Sequence, residues 1–391
     1  MALKNKYQRQ KEQYSTDGGI TWLDVTPPNY RKGNVIEMGS DDCNTVEWIE
    51  VAGSWFCIGT DTVTRWVIAT NEYMCSNGNK YQKEKEQISY DNGVTWSDTG
   101  NARNGSLIEA DSEDCNYANQ YLTFVALEDG TFSFTGTSTN SLSYTLDDGQ
   151  TWIPLASGVA SPIVTTGNKI MWKGITTPNI SRYEGIGRFS STGRFNTYGN
   201  IMSIVYGDNF EEQTVIDDYQ FRILFNASKV VDAENLVLPS TILKNECYVS
   251  MFGTCTYLTT APELPATTLA KSCYVYMFGG CTSLVNAPSL PATTLAESCY
   301  SSMFYGCTDL TSAPDLTATI LTDRCYYNMF SNCSNLNFIK CLATDITANN
   351  CTYLWLLNTS SSGTFVKSSG TSWATGASSI PSGWTVQTAS E

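Results

Sequence analysis

Leu295-Ala-Glu-Ser-Cys299-Tyr-Ser-Ser-Met303-Phe-Tyr-Gly-Cys307-Thr-Asp-Leu310-Thr-Ser-Ala-Pro314-Asp-Leu316 is one copy of a unit that recurs every 26 residues. The register is kept by Cys247, Cys273, Cys299, Cys325 and Cys351, and by a second comb at Cys255, Cys281, Cys307 and Cys333. Met251, Met277, Met303 and Met329 hold the same step, as do Leu258, Leu284, Leu310 and Leu336. A fixed period of this length marks a stack of supersecondary units. Leu295, Cys299 and Met303 stand at i, i+4 and i+8, which predicts one inward face of a short helix. Gly306 is expected to end that helix, and Cys307 to Ala313 alternates as a short strand does before Pro314 closes it. Helix, turn, strand, turn is one coil of a solenoid. A lone coil leaves its Leu, Met, Phe and Cys side in water, so the coils are expected to stack, with their strands forming one parallel sheet.

The 14 cysteines of the 391 residues are read through this lattice, because nine of the ten that follow residue 240 fall on it. A small apolar thiol recurring once per coil makes a core ladder, so these cysteines are expected to be reduced and buried. Zinc would need ligands converging tetrahedrally, and the chain has no histidine and spaces its cysteines eight and eighteen residues apart. No metal and no cofactor are expected.

The segment from Met303 to Pro314 resembles the BspA-type leucine-rich repeat, in which an aromatic, a cysteine and a leucine follow at this spacing. The resemblance covers residues 220 to 357. It departs in a period longer than the commoner one of that family and in a Met where a small residue precedes the Phe. Upstream, Phe221, Phe225 and Leu238 to Leu243 read as a degenerate first coil. Downstream, Trp355, Trp373 and Trp384 in Gly/Ser-rich sequence are expected to close the open end, with a cap over 358–391.

Three stretches toward the N-terminus share another pattern, the Asp box: Asp17, Gly19 and Trp22; Asp91, Gly93 and Trp96; Asp147, Gly149 and Trp152. In a hairpin turn the Asp carboxylate accepts backbone N–H groups, the Gly takes positive φ, and the Trp packs beneath. These residues are therefore assigned structural roles. Asp boxes recur in sialidase-like propellers. The spacings of 74 and 56 residues, with three boxes and nine scattered arginines, do not fit a many-bladed glycan hydrolase.

A duplication surrounds two of the boxes, with Lys6 to Gln13 matching Lys80 to Gln87. Each charged run leads into a turn and alternates at period two, which predicts an exposed strand. From about Asn119 short runs follow, at Tyr121–Leu127, Thr131–Phe134, Lys169–Trp172, Gly187–Phe189 and Ile201–Tyr206. They predict a β-sandwich, of jelly-roll or immunoglobulin-like topology. The expected fold is multidomain and mainly β, with α/β repeats. Its parts are Asp-box modules at 1–65 and 66–118, a sandwich with the third box at 119–210, a solenoid at 220–357 and the cap at 358–391.

Net charge is −15 and the chain has no long Lys/Arg cluster, so nucleic acid is not an expected partner. No run of 18 apolar residues occurs, and the first ten residues carry no apolar stretch after their basic ones. Neither membrane insertion nor a secretion signal is therefore expected. Adjacent carboxylates at Asp41-Asp42, Asp147-Asp148 and Asp217-Asp218 point to opposite faces of a strand and read as turn residues. Asp111, Glu113 and Asp114 lack the glycine and distal glutamate of a calcium loop. No catalytic residues are assigned.

The order of modules resembles fibre and adhesin-like proteins of gut Bacteroides and of their crAss-like phages. That resemblance implies surface recognition, with a host cell-surface glycan or protein as partner, and the absence of an export signal favours a virion surface protein assembled in the host cytoplasm. The strand edge expected to be exposed at Tyr7 to Gln13 further predicts a homo-oligomer, or contact with other virion proteins, through the N-terminal modules. A structural decoration protein, or an exported bacterial adhesin at the cell surface, is the alternative. Candidate ligand lanes are positions that vary from coil to coil. One comprises Tyr257, Ser283, Asp309 and Asn335, and the next includes Thr259 and Thr311. A third comprises Tyr274, Tyr300 and Tyr326, since tyrosines with one wet edge suit carbohydrate stacking.

Overall fold

A computed structural model describes the backbone of residues 5–11, 13–14, 23–24, 30–38, 48–51, 54–57, 63–76, 79–89, 97–109 and 116–389, apart from 137–141 and 175–184. The chain is mainly strand, with very little helix. It falls into two compact units, Met1–Cys115 and Asn116–Glu391. Among the described residues no helix is long and apolar enough to cross a membrane.

In the first unit, strand Asn5–Lys11 pairs antiparallel with Tyr30–Met38. Val63–Ser76, Asn79–Ser89 and Ser97–Glu109 form a three-stranded antiparallel meander. The Lys80–Gln87 run is a strand, but a central one, hydrogen-bonded on both sides. Arg103 reaches back to Glu84 at 2.7 Å and lies over the Trp66 ring at 4.4 Å. The expectation of an exposed strand is thus corrected for this copy, and Tyr81, Gln82 and Glu84 are half-buried.

The second unit begins with an antiparallel sheet in the order Ile153–Leu155, Leu142–Thr145, Lys169–Gly174, Leu122–Ala126 and Phe195–Asn200. A two-stranded ribbon, Phe132–Gly136 with Gly187–Ser191, packs on it through aromatic side chains. Phe124 sits 5.5 Å from Phe132, 4.9 Å from Phe189 and 5.7 Å from Trp172. Ile201–Tyr206, expected as a strand, instead leaves the sheet, and Ser203–Tyr206 is a single helical turn. Ile201, Met202, Ile204 and Val205 are buried. Periodicity alone does not separate a buried strand from a buried helical segment.

The sheet does not stop at residue 210. Phe195–Asn200 pairs in parallel with Val230–Asp232 and with Leu236–Val237. From Asp232 a column of parallel bridges runs through Thr260, Asn286 and Ser312 to Phe338, and there it widens again. Phe338–Cys341, Thr364–Lys367 and Thr385–Thr388 make a three-stranded parallel sheet. The expected strand over Cys307 to Ala313 is thereby reduced to a single bridging residue per coil, Ser312. Prolines at 262, 288 and 314 remove the donors that a longer ladder would use.

The opposite wall overturns the helix expectation. Cys299, Ser301, Met303, Tyr305 and Cys307 each donate their N–H to the carbonyl three residues back, at 3.1–3.2 Å. The residues between them, Ser298, Tyr300, Ser302, Phe304 and Gly306, donate to Asp323, Cys325, Tyr327, Met329 and Ser331 of the next coil, at 2.7–3.1 Å. Ser298, Ser302 and Gly306 have φ of 57°, 53° and 70°. This is a run of tight turns with every fourth residue left-handed, stitched coil to coil. An α-helix would spend its N–H groups within the coil and leave none to join its neighbours. The same triplet recurs at 246, 250 and 254, at 272, 276 and 280, at 324, 328 and 332, and at 350, 354 and 358.

The four-residue turn places two side chains inward and two outward. Inward go Cys299, Tyr300, Met303, Phe304 and Cys307, all at most 1% exposed. Rings of successive coils stack nearly flat: Phe225, Phe252, Phe278, Phe304 and Phe330 follow one another at 5.2–5.7 Å. A parallel column runs Phe221, Tyr248, Tyr274, Tyr300, Tyr326, Trp355 and Trp373 at 5.6–6.2 Å. Burying a side chain of this size stabilises by about 1.5–3 kcal/mol, so the inward positions outweigh the left-handed backbone cost of each coil.

Candidate functional site

The outward positions of the turn wall make the candidate site. In each coil they are the first two residues of each four-residue turn, such as Glu297 and Ser298, Ser301 and Ser302, Tyr305 and Gly306. Across the stack they include five half-buried or exposed tyrosines, Tyr219, Tyr276, Tyr305, Tyr327 and Tyr353. Among them lie Ser250, Ser272, Ser298, Ser301 and Ser302, with Asn226, Asn328, Asn332 and Asn358. The backbone beneath is fixed by the inter-coil hydrogen bonds, so these side chains project from a rigid wall.

Contacts along the face are local. Tyr327 and Tyr353 stack at 5.2 Å, and Tyr276 meets Tyr305 at 6.1 Å with rings tilted by 33°. Asn358 Nδ2 donates to Asn332 Oδ1 at 2.7 Å. Two ion pairs lie on the face: Arg222 on Glu246 at 2.8 Å and Lys271 on Glu297 at 2.9 Å. Asp218 and Asp323 accept the N–H groups of Asn245 and Asn349 from the following coil.

Tyr274, Tyr300 and Tyr326 do not belong to any ligand surface. They are 1–2% exposed and form the buried ring column, which corrects the third lane. The half-buried tyrosines of the outer face are their neighbours two, five or one positions further on, at 276, 305 and 327. Sequence reasoning missed these because their columns hold different residues in each coil. The signal was the strict four-residue pairing of Cys-Tyr, Met-Phe and the next Cys, which assigns the intervening pairs outward. Tyr257, Thr259, Asp309, Thr311 and Asn335 are exposed and Ser283 is half-buried. They line the corner beside the bridge column, where the Thr259 hydroxyl and N–H both bond Val231 O at 3.0 and 2.8 Å.

No protein-family model, curated protein or solved structure matches the chain.

Cys247, Cys255, Cys273, Cys281, Cys299, Cys307, Cys325 and Cys333 are unpaired thiols, none exposed, and Met277 and Met303 are fully buried. Burial raises each of these thiol pKa values, to about 11 at Cys255 and to about 12 at Cys273, Cys325 and Cys333. The second comb also donates across coils: Cys281 Sγ to Phe252 O at 3.1 Å and Cys307 Sγ to Phe278 O at 3.2 Å. Among the described residues no group of three or more His, Cys, Asp or Glu is placed to hold a metal ion.

At the third Asp box, Asp147 and Gly149 lie in the turn joining Leu142–Thr145 to Ile153–Leu155. Asp147 Oδ1 accepts the Thr145 hydroxyl at 2.6 Å and the Thr151 N–H at 2.9 Å. The Thr145 hydroxyl, with those of Thr151, holds the carboxyl down to about 2. Gly149 has φ 88°, and its neighbour Asp148 shares the left-handed region at 58° and pairs with Lys169 at 2.7 Å. Trp152 packs under Lys173, whose Nζ is 4.4 Å from the ring centroid, and against Tyr121 at 4.9 Å. An open hollow of about 380 Å³ beside the turn is lined by Leu146, Asp148, Ile163, Thr165, Asn168 and Lys169. Asp17, Gly19, Trp22, Asp91, Gly93 and Trp96 lie outside the described residues, as do Asp41, Asp42, Asp111, Glu113 and Asp114.

Proposed function

We propose that this chain is a non-enzymatic recognition protein of the fibre or receptor-binding kind. In this reading residues 220–357 are a solenoid of 26-residue coils of the leucine-rich-repeat class, and its turn wall presents the recognition face. The observation that carries the reading is the Tyr, Ser and Asn composition of that wall. Tyrosine supplies large, stiff contact area with few torsions to freeze, and Ser and Asn adapt their hydrogen bonds to a partner. Stacked repeats suit such a surface because each coil changes its outward residues without disturbing the core.

The acidic side chains support a binding role, since they serve the fold. Asp147 holds a turn, and Asp208 accepts the Tyr121 hydroxyl at 2.7 Å and Lys173 at 2.8 Å. Glu128 pairs with Arg194 at 2.7 Å, and Asp129 accepts the Thr166 N–H and hydroxyl. The module order, with its resemblance to proteins of gut Bacteroides phages, favours a virion surface location and a host cell-surface glycan or protein as partner. The N-terminal unit would then contact other virion proteins and form the homo-oligomer.

The test is binding of the labelled full chain to gut Bacteroides cells, beside the Tyr327→Ser, Tyr353→Ser double variant. Saturable binding that the double variant weakens supports the reading. No binding to any strain, or binding untouched by substitutions across the whole wall, removes it.

A further inference from the structure

The tyrosine at 276 differs from the others in what lies under it. Its column holds Ser250, Ser302, Asn328 and Leu354 in the other coils, and the column at 279 holds Gly253, Tyr305, Ser331 and Leu357. A methyl group added at Gly279 would lie 2.4 Å from Cδ2 and Cε2 of the Tyr276 ring, and one at Gly253 would lie 3.2 Å from Cδ1. The ring therefore lies directly on the backbone of two successive coils, in room that only glycine leaves. Gly279 is not held in the left-handed region, so its lack of a side chain answers to space and not to conformation. Tyr305 enters the glycine column one coil later and stands beside Tyr276 at 6.1 Å. The result is a pair of half-exposed rings with Asn226, Ser250 and Thr254 around them.

We infer that Tyr276, seated over Gly253 and Gly279, forms with Tyr305 a subsite for a neutral sugar ring. A ring supported on one side by backbone is held as a flat platform, and the apolar face of a pyranose can stack on it while hydroxyls meet Ser, Thr and Asn. The charge pattern selects a neutral ligand, because Arg222 with Glu246 and Lys271 with Glu297 are already paired across the coils flanking the platform. A flat, half-wet platform also lacks the enclosed pocket that a protein hot spot fills. This rests on the wall being a recognition face and names its ligand class.

The experiment uses the full chain on an array of neutral hexose and N-acetylhexosamine oligosaccharides printed beside sialylated and sulfated ones. Affinity for the best neutral oligosaccharide is then measured for three variants: Tyr276→Ser, Tyr305→Ser and Gly279→Ala. Ser already occupies both columns in other coils, so the first two should keep the thermal midpoint. Each should weaken binding about tenfold or more, and Gly279→Ala should do the same by lifting the Tyr276 ring. Binding only to charged glycans, or to none, overturns the neutral-sugar assignment. Neutral binding that is unchanged in both tyrosine variants overturns the subsite. In either case binding of the chain to cells still decides the wider reading.

Discussion

At the residue scale, two glycines and one aspartate show how differently a single position is dictated. Gly279 is required by the Tyr276 ring, whereas Gly306 has φ 70° and nothing closer than 3.9 Å to an added methyl group. Space at Gly306 is free and the constraint is conformational alone. Gly306→Val should therefore cost about 1–3 kcal/mol, measured by urea unfolding, because a β-branched residue resists the left-handed region. A cost near zero would mean that the turn relaxes. Asp147 was readable from sequence as a turn residue, and its partners follow the expected logic of an acceptor facing N–H and O–H donors. Removing the largest of these, by Thr145→Val, should raise the Asp147 pKa from about 2 toward the ordinary carboxylate range, as read by carbon-13 NMR titration. Whatever stability the lowered pKa gives is present above the unfolded value and lost as pH falls through about 2. An unchanged titration would assign the shift to Thr151 instead.

At the scale of the element, the buried thiols make a prediction with a definite sign. Each acid is held protonated by burial, so the unfolded chain ionises first, near pH 8.5, while the folded thiols ionise at higher pH, about 11 at Cys255 and about 12 at Cys273, Cys325 and Cys333. Above pH 8.5 the folded state binds more protons, and stability must fall as pH rises. The urea midpoint should be flat from pH 6 to 8 and drop steeply by pH 10, and native thiols should label slowly at pH 8. Fast labelling at Cys273, Cys299 or Cys325 would show that the ladder is open to solvent. The same cysteines explain what could and could not be read in advance. Their 26-residue register displays which side of each coil is buried, because only stacking satisfies it. The i, i+4 spacing of Leu295, Cys299 and Met303 was ambiguous, since a helix of 3.6 residues and a turn of four agree over so short a span. Gly306, Asn328 and Asn332 are residues that suit a left-handed backbone, but Glu246, Thr254, Tyr276, Arg324 and Leu354 hold the same positions in other coils, so residue type marks the turn only in part. The helix expectation takes Gly306 as a stop and gives the other positions no part, because it rests on the apolar face.

At the scale of the molecule, the antiparallel sheet and the 26-residue units share one hydrogen-bonded sheet. Strand Phe195–Asn200 is the last of the antiparallel set and the first rung of the parallel column. The aromatic core crosses the same boundary: Phe225 lies 5.8 Å from both Phe124 and Phe189, and then stacks on Phe252 at 5.2 Å. Backbone bonds join them too, with the Phe189 N–H donating to Leu224 O at 2.7 Å and the Ile186 N–H to Gln220 O at 3.0 Å. The N-terminal part of this unit thus covers Phe225 and the backbone of residues 220–224. A sequence reading placed a boundary near residue 210 because the 26-residue lattice begins only afterwards, and composition gives no sign that one sheet continues. A chain of residues 220–391 would expose Phe221, Leu224 and Phe225, each fully buried in the intact unit, and would leave Val230–Asp232 without its partner. Uncapped stacked repeats fray from the exposed end and associate. Residues 116–391 should therefore give a cooperative unfolding transition and strong amide protection through the coils at 247–333, while residues 220–391 should aggregate or lose protection from the first coil onward. Hydrogen exchange on the two fragments separates the outcomes, and equal protection in both would mean that the coils are capped from within.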